Sequence, residues 1–205
     1  MKRLRWLLLG SVSLCAVAFA AVALFILNAH GFSASEPPGS VERWIARRAR
    51  SAALPSDARA HRNPLANSGD VLAEARAHWA DHCALCHAND GSGDTQLGKR
   101  SYPPAPDMRL PATQQMADGE LFYIIQNGIR LSGMPAWGGS SDHDLQDSWK
   151  LVHLIRHLPQ LTPQEIKEME GLNPKSPEEL REEQEDNNFL KGNDSNEQPT
   201  KHHQH

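Results

Sequence analysis

The sequence predicts a mainly α-helical protein that carries one N-terminal transmembrane helix. Residues 6–27 form an apolar run of 22 positions without a charged side chain. Three later segments repeat apolar residues every three or four positions, and no segment alternates apolar and polar residues as a half-buried strand would. With 205 residues, 39% of them hydrophobic, the chain has room for one modest domain and polar extensions.

Residues 1–28 are predicted to be a membrane anchor. The apolar run from Trp6 to Leu27 would extend about 33 Å as a helix at roughly 1.5 Å per residue, which is enough to cross a bilayer. Three basic residues precede it (Lys2, Arg3 and Arg5), so the N-terminus should stay in the cytoplasm and the rest should be exported. The alternative is a signal peptide cleaved after small residues near Ala20. The apolar run continues past that point, which favours a retained anchor. Cys15 follows Leu14 and not a small residue, which argues against a lipid-attachment site. We therefore interpret Cys15 as a thiol that faces the lipid.

Residues 29–63 are predicted to be a basic juxtamembrane connector, and residues 36–62 carry a formal charge of +3. The segment EPPG at 36–39 should end the first helix, and Ser40 could cap a short helix through Arg50. This helix combines Trp44 with several arginines. It could rest on anionic headgroups or serve as a solvated linker, and the sequence leaves both readings open.

Residues 64–159 are predicted to form the folded domain, built on three helices. The first spans Gly69–Trp79. The second spans Asp118–Asn127, with Asp118 as its N-cap and Gly128 as its stop. The third follows a capping-box pattern of Ser141 and Asp144 and ends at Pro159. A domain of this size with few large side chains has a thin core, so a bound group should help to fill it.

The motif DHCALCH at 81–87 identifies that group. Two thiols one helical turn apart, followed directly by histidine, form the attachment pattern of one covalent haem c. Cys83 and Cys86 would form the thioether bonds, and His87 would bind the iron. A zinc site would need a second cysteine pair, and a thioredoxin-like pair would need a βαβ setting. A structural disulfide would leave His87 without a role.

A second axial ligand is expected on a loop between the second and third helices. Met134, in LSGMPAWGG, lies 47 residues after His87, and Gly133 and Pro135 would shape its loop. Its thioether would stabilise reduced iron. Met108 and Met116 are the rival methionines, and a histidine or an open position are the remaining alternatives.

Residues 64–159 resemble the class I monohaem c-type cytochromes of the small bacterial type. The resemblance rests on CALCH, DGSGD, YPPAPDM, DGELFYIIQNGIR, GMPAW and SWKLVHLIRHL. It implies the cytochrome c fold, in which helices pack around the haem and the first and last helices cross beside it. It also implies that the carbonyl of Pro103 or Pro104 accepts a hydrogen bond from the His87 ring, which would orient the imidazole. Two features depart from the family: Ala75 and Leu154 stand where a glycine and an aromatic residue commonly cross, and Ala88 stands where glycine is frequent.

Residues 160–205 are predicted to be an acidic, partly disordered tail with a formal charge of −6. Pro163 and Pro177 each follow a helix-start signal, and the chain from Asp186 onward lacks a packing face. The histidines within the domain (His78, His82, His153 and His157) are expected to have surface or structural roles, with His82 nearest the haem edge. The terminal ones (His202, His203 and His205) belong to a flexible tail or could bind a metal.

These expectations combine into a membrane-tethered electron carrier on the periplasmic or extracellular side of the cytoplasmic membrane. Its redox partners would be a quinol-oxidising complex or dehydrogenase as donor and a terminal oxidase or reductase as acceptor. No small-molecule substrate is expected, and no basic stripe favours nucleic acid. The alternatives are a haem-bearing subunit of a larger oxidoreductase complex and a haem enzyme or gas sensor with an open distal site.

Overall fold

Every regular element in the computed structural model, which describes residues 2–28, 36 and 38–191, is helical. A π-helical turn occupies Trp79–Cys83, and short 3₁₀ turns occupy Ala58–Ala60 and Leu158–Gln160. The mainly α prediction is therefore confirmed. In chain order the α-helices are α1 (Lys2–Asn28), α2 (Ser40–Ala53), α3 (Gly69–His78), α4 (Ala84–His87), α5 (Gln96–Arg100), α6 (Pro111–Gln114), α7 (Asp118–Asn127), α8 (Asp142–His157), α9 (Pro163–Glu170) and α10 (Pro177–Leu190).

Helix α1 is long and apolar enough to cross a membrane. Its candidate span, Arg3–Leu27, has 25 residues and a mean hydropathy of 2.4, and no other helix in the described part of the chain meets the same criterion. The predicted N-terminal apolar helix is thus present. A signal sequence passes the same test of length and composition, so retention of α1 as an anchor stays a prediction.

The core of the domain lies where α3 packs against α8. Ala75 on α3 and Val152 and Leu154 on α8 are all fully buried there. The small side chain of Ala75 allows the two helices to approach closely, as the glycine common in the family would. Helix α8 begins with the predicted capping box, because the Ser141 hydroxyl accepts from the Asp144 N–H at 3.2 Å and the Asp144 carboxylate accepts from the Ser141 N–H at 3.2 Å.

Two predicted N-caps are wrong. Asp118 is the first residue inside α7, and its carboxylate accepts a hydrogen bond from Arg156 at 2.7 Å, so it is already engaged by α8. Glu120 instead satisfies the start of the helix by accepting from the Ala117 N–H at 2.9 Å. Ser40 is likewise the first residue of α2, the N-cap position belongs to Gly39, and no side chain caps that helix.

Helix α9 packs onto the domain although it lies beyond the predicted boundary at residue 159. Met169 is fully buried in the main hydrophobic cluster. Glu165 adds two polar contacts, with Arg76 at 3.1 Å and with His157 at 3.0 Å. The core therefore continues at least to Met169. Helix α10 has no buried residue and runs to Leu190, past the predicted onset of disorder at Asp186. The terminal histidines lie outside the described residues.

The end of the connector also contacts the domain. The 3₁₀ turn Ala58–Ala60 lies against the start of α7, where Arg59 forms an ion pair with Glu120 at 2.8 Å. Gly119 permits this approach, because a Cβ at that position would lie 2.0 Å from the Ala58 carbonyl oxygen. Ala58 is buried, so packed residues occur before the predicted domain start at residue 64 as well. The division of the chain into segments stays a prediction.

Candidate functional site

Cys83, Cys86 and His87 lie at the end of a continuous helical segment formed by α3, the π turn and α4. The π turn Trp79–Cys83 inserts one extra residue into the helix where the motif begins, and Cys83 is its last residue. Sequence periodicity ends the predicted helix at Trp79, whereas the helical segment in the structure continues to His87. The motif residues therefore sit on helical backbone rather than on a loop, and their spacing is set by the helix.

Both thiols and the imidazole of the motif are neutral at physiological pH. Burial, with a smaller contribution from neighbouring Cys86, raises the pKa of Cys83 to about 12. Burial also raises the pKa of Cys86 and lowers the pKa of His87 to about 4. A neutral imidazole has a ring nitrogen lone pair available to bind a metal.

The structure does not favour the disulfide or zinc alternatives. Cys83 and Cys86 are both free thiols. Within residues 2–28, 36 and 38–191, no group of three or more histidine, cysteine, aspartate or glutamate side chains could hold a metal ion. The two thiols and the imidazole thus have no competing partner in the part of the chain that is described.

Two buried polar atoms beside the motif lack a hydrogen bond among the described residues, His87 Nδ1 and Asn89 Oδ1. Such orphaned groups are uncommon in native structures. The His87 ring packs near Trp79, with centroids 5.9 Å apart. Neither Pro103 nor Pro104 accepts from His87 in the structure, so that contact remains a prediction. An imidazole without a hydrogen-bond partner, beside two neutral thiols, fits a covalently attached haem c. The haem iron would bind the imidazole, and the porphyrin would fill space next to it.

Ala88 closes the helical segment in an unusual conformation, with φ of 59° and ψ of 162°. Its carbonyl accepts from the Trp79 indole N–H at 2.9 Å and from the Gly91 N–H at 3.2 Å. Sequence reasoning assigned Trp79 only to an apolar helix face and missed this hydrogen bond. The one available signal was the position of a tryptophan four residues before Cys83.

The loop that follows wraps tightly around the motif backbone. The Gly93 N–H donates to the His87 carbonyl at 2.9 Å, and the Thr95 hydroxyl donates to the Cys86 carbonyl at 3.2 Å. Gly98 approaches the same carbonyl so closely that a Cβ would lie 2.1 Å from the Cys86 oxygen. These contacts fix the direction in which His87 leaves the helix.

Met134 lies half-buried on a loop that folds back along α7. The Met134 carbonyl accepts from the Ile129 N–H at 3.1 Å, and its N–H donates to the Ser132 hydroxyl at 3.2 Å. Further along, the Trp137 N–H donates to the Ile125 carbonyl at 3.0 Å. The loop is thus held at both ends by backbone contacts, as expected for a segment that must present one side chain.

The Met134 loop meets the other two segments of the site. The Trp137 ring stacks on His82, the residue before Cys83, with centroids 5.3 Å apart. On the other side, a Cβ on Gly133 would lie 3.2 Å from the Ser101 hydroxyl, at the start of the proline-rich loop. The structure therefore brings the cysteine motif, the segment before Pro103 and Pro104, and the Met134 loop into one region.

The other methionines and histidines have structural surroundings. Met108 is buried in the core cluster, and Met116 packs against that cluster. His153 contacts the Leu65 carbonyl at 2.9 Å. His78 packs edge-on against His82 at 5.0 Å, and burial, followed by the proximity of His82, lowers the pKa of His78.

Comparison with known proteins bears on the middle of the chain. Residues 70–155 match the family model described as cytochrome C oxidase, cbb3-type, subunit III. No curated protein matches the chain. The matched range begins in α3 and ends in α8, so it includes the cysteine motif, the Met134 loop and the crossing helices. Residues 70–155 are therefore a cytochrome c domain of the cbb3 oxidase subunit III type, which lies behind an N-terminal apolar helix.

Proposed function

We propose that this protein is a membrane-tethered c-type cytochrome that carries single electrons on the outer face of the cytoplasmic membrane, from a respiratory donor to an acceptor. The observation that carries the proposal is the cytochrome c domain behind one apolar helix. Haem c, when bound, supplies a one-electron Fe(III)/Fe(II) couple. If His87 and Met134 both bound the iron, the domain would pass electrons without binding a substrate.

In this proposal each site residue has a defined task. Cys83 and Cys86 would hold the haem through thioether bonds, and His87 and Met134 would bind its iron through nitrogen and sulfur. The position of all three motif side chains on one helical segment and the unpartnered His87 Nδ1 support this assignment. The loop contacts to the Cys86 and His87 carbonyls would keep the imidazole in place. With one ring nitrogen bound to iron, the single ring N–H would donate to the carbonyl of Pro103 or Pro104.

Haem retention after unfolding tests the attachment. If Cys83 and Cys86 form thioether bonds, the denatured chain should keep its haem colour and a mass increase of one haem. Changing both cysteines to serine should abolish the colour and reduce the folded yield, because the haem fills much of a thin core. Cys15→Ser is the matched control and should change neither result. Extraction of all haem into acidified organic solvent would overturn the attachment.

A second candidate function is a haem-bearing subunit held permanently in a larger oxidoreductase complex, which the match to an oxidase subunit family favours. Mild detergent extraction followed by separation by size distinguishes the two. A free carrier should run as a single chain with its detergent, whereas a fixed subunit should run with other haem proteins in constant proportion.

A further inference from the structure

Helix α2 has the composition of a helix that lies on a charged surface. Val41, Trp44 and Ile45 follow the i, i+3, i+4 spacing of one apolar side, and Arg43, Arg47 and Arg50 follow a similar spacing on the other. None of its residues is buried by the rest of the protein, and the three apolar side chains are 69%, 55% and 55% exposed respectively. An exposed apolar side next to basic residues implies a partner that is apolar in part and anionic in part.

Within the described part of the chain the arginines of α2 form no ion pair, although Arg50 helps to lower the pKa of Glu120 from a distance and Arg43 donates to the Pro38 carbonyl. Among the described residues, no ion pair involves Arg43, Arg47, Arg48 or Arg50, although the domain that follows is acidic overall. Elsewhere in the chain the arginines Arg59, Arg76, Arg109 and Arg156 each pair with an acidic side chain. The Arg48 guanidinium instead lies over the Trp44 ring, 5.7 Å from its centroid. Arg48 therefore lies on the apolar side itself, i+7 from Val41 and i+4 from Trp44, where its long side chain can pack on the tryptophan and extend its charge to a lipid headgroup layer.

The position of α2 in the chain makes a membrane surface the nearest anionic partner. Eleven residues separate the end of α1 at Asn28 from Ser40, which span at most about 40 Å when extended. A chain tethered by α1 therefore holds α2 within reach of the same bilayer at all times. A soluble partner would have to compete with that high local concentration.

We propose that α2 binds the surface of the anionic bilayer that holds α1, with Trp44, Val41 and Ile45 at the acyl boundary and the arginines among phosphate headgroups. This inference rests on the proposed tether. It adds that the connector is a second membrane contact and not a free linker.

Attachment of α2 would also orient the haem domain. The Tyr102 hydroxyl donates to Glu42, the one acidic residue of α2, and Arg59 donates to the Ser51 hydroxyl at 3.2 Å. Arg59 is joined to α7 through Glu120. A helix fixed on the membrane would therefore hold the domain by two contacts, one of them adjacent to Pro103.

Hydrogen exchange of the full haem-loaded chain in vesicles tests the inference. Amides of residues 41–53 should exchange about tenfold more slowly in phosphatidylcholine vesicles that contain phosphatidylglycerol than in phosphatidylcholine alone. The change Arg43→Gln, Arg47→Gln and Arg48→Gln should remove the difference while keeping helix propensity. Neutralising three exposed cations elsewhere, Lys167, Arg181 and Lys191, by the same change is the matched control and should leave it intact.

Each outcome separates this inference from the tether. If the chain stays in the vesicles after alkaline washing but exchange of residues 41–53 is the same in both lipids, α2 does not bind the surface and the tether stands. If the arginine variant keeps the slow exchange, anionic headgroups are not its partner. If alkaline washing removes the chain, α1 is not an anchor, and the tether fails whatever the exchange in α2.

Discussion

Ala88 has a backbone conformation that residues other than glycine rarely adopt. Its φ of 59° with ψ of 162° lies in a region occupied almost only by glycine, at a cost of roughly 1–3 kcal/mol. The carbonyl is held by the Trp79 indole and the Gly91 N–H, so the surrounding structure imposes the conformation. This gives a physical reason for the frequent glycine at this position in the family.

Replacing Ala88 with glycine should stabilise the domain by about 1 kcal/mol, since relief of backbone strain exceeds the extra freedom that glycine gives the unfolded chain. Denaturant unfolding of the haem-loaded protein measures the free energy of unfolding. Ala77→Gly, at an exposed helical position of α3, is the control and should destabilise by about 1 kcal/mol. A loss of stability at both positions would contradict the strain argument.

Met134 decides between an electron carrier and a haem enzyme. If Met134 binds the iron as proposed, changing it to alanine should lower the reduction potential, because the thioether favours Fe(II), and open the reduced haem to carbon monoxide. Redox titration and carbon monoxide binding are the measurements. The haem should remain attached, because Cys83 and Cys86 are unchanged.

Two other methionines serve as controls for that result. Met116→Ala removes a thioether that packs against the core and should leave the potential unchanged. If Met108→Ala alters the spectrum and potential while Met134→Ala does not, Met108 is the ligand and the assignment of Met134 is wrong. If none of the three matters, the sixth position is open or filled by a histidine, and the carrier proposal loses its main support.

At this scale, motif chemistry could be predicted from the sequence, whereas the contacts that support it could not. Cys83, Cys86 and His87 are recognisable because their spacing alone defines the attachment pattern. The hydrogen bond from Trp79 to Ala88 depends on the π turn between them, and local sequence does not encode where a helix will widen. Whether His87 Nδ1 finds a hydrogen-bond partner depends on how loops distant in the sequence pack around it.

Among the helices, those with a clear apolar period and a cap were predicted well. The ranges of α7 and the start of α8 agree with their sequence signals, and α9 and α10 begin at the predicted prolines. The N-cap at Asp118 was wrong because its carboxylate binds Arg156 instead, and the N-cap at Ser40 was wrong because α2 starts at that residue and Gly39 takes the cap position. Burial of α9 was missed because its single deeply buried anchor, Met169, stands among acidic residues.

Helix α9 should contribute to the stability of the domain although its sequence is polar. Met169→Ala removes a fully buried side chain from the core and should lower the free energy of unfolding by about 2–5 kcal/mol. Leu180→Ala in α10, where the side chain is 46% exposed, is the matched control and should change it by less than about 0.5 kcal/mol. Denaturant unfolding followed by haem absorbance measures both. Equal, small effects would mean that α9 does not belong to the cooperative unit.

Across the whole molecule, the sign of the charge changes along the chain. Basic residues occupy the first turn of α1 and fill α2, whereas the domain and the residues after it are acidic, with formal charges of −4 for residues 63–159 and −6 for residues 160–205. A negatively charged bilayer would attract the connector and repel the domain. This arrangement would keep the haem domain off the surface while α2 stays on it, leaving the domain accessible to protein partners.

The topology of the chain follows from the same charges. Lys2, Arg3 and Arg5 lie at the start of α1, ahead of its apolar run and with no acidic residue among them, so the N-terminus should stay in the cytoplasm and residues 31–205 should be exported. A reporter that is active only after export should be active when fused after Thr200. It should be inactive when α1 is deleted from the same fusion. The mature protein should also stay in washed membranes with its N-terminus intact. An inactive reporter at Thr200 would show that the orientation is the reverse of the predicted one. Release from the membrane with a new N-terminus near Ala21 or Glu36 would show that α1 is a cleaved signal and that the haem domain moves freely outside the membrane.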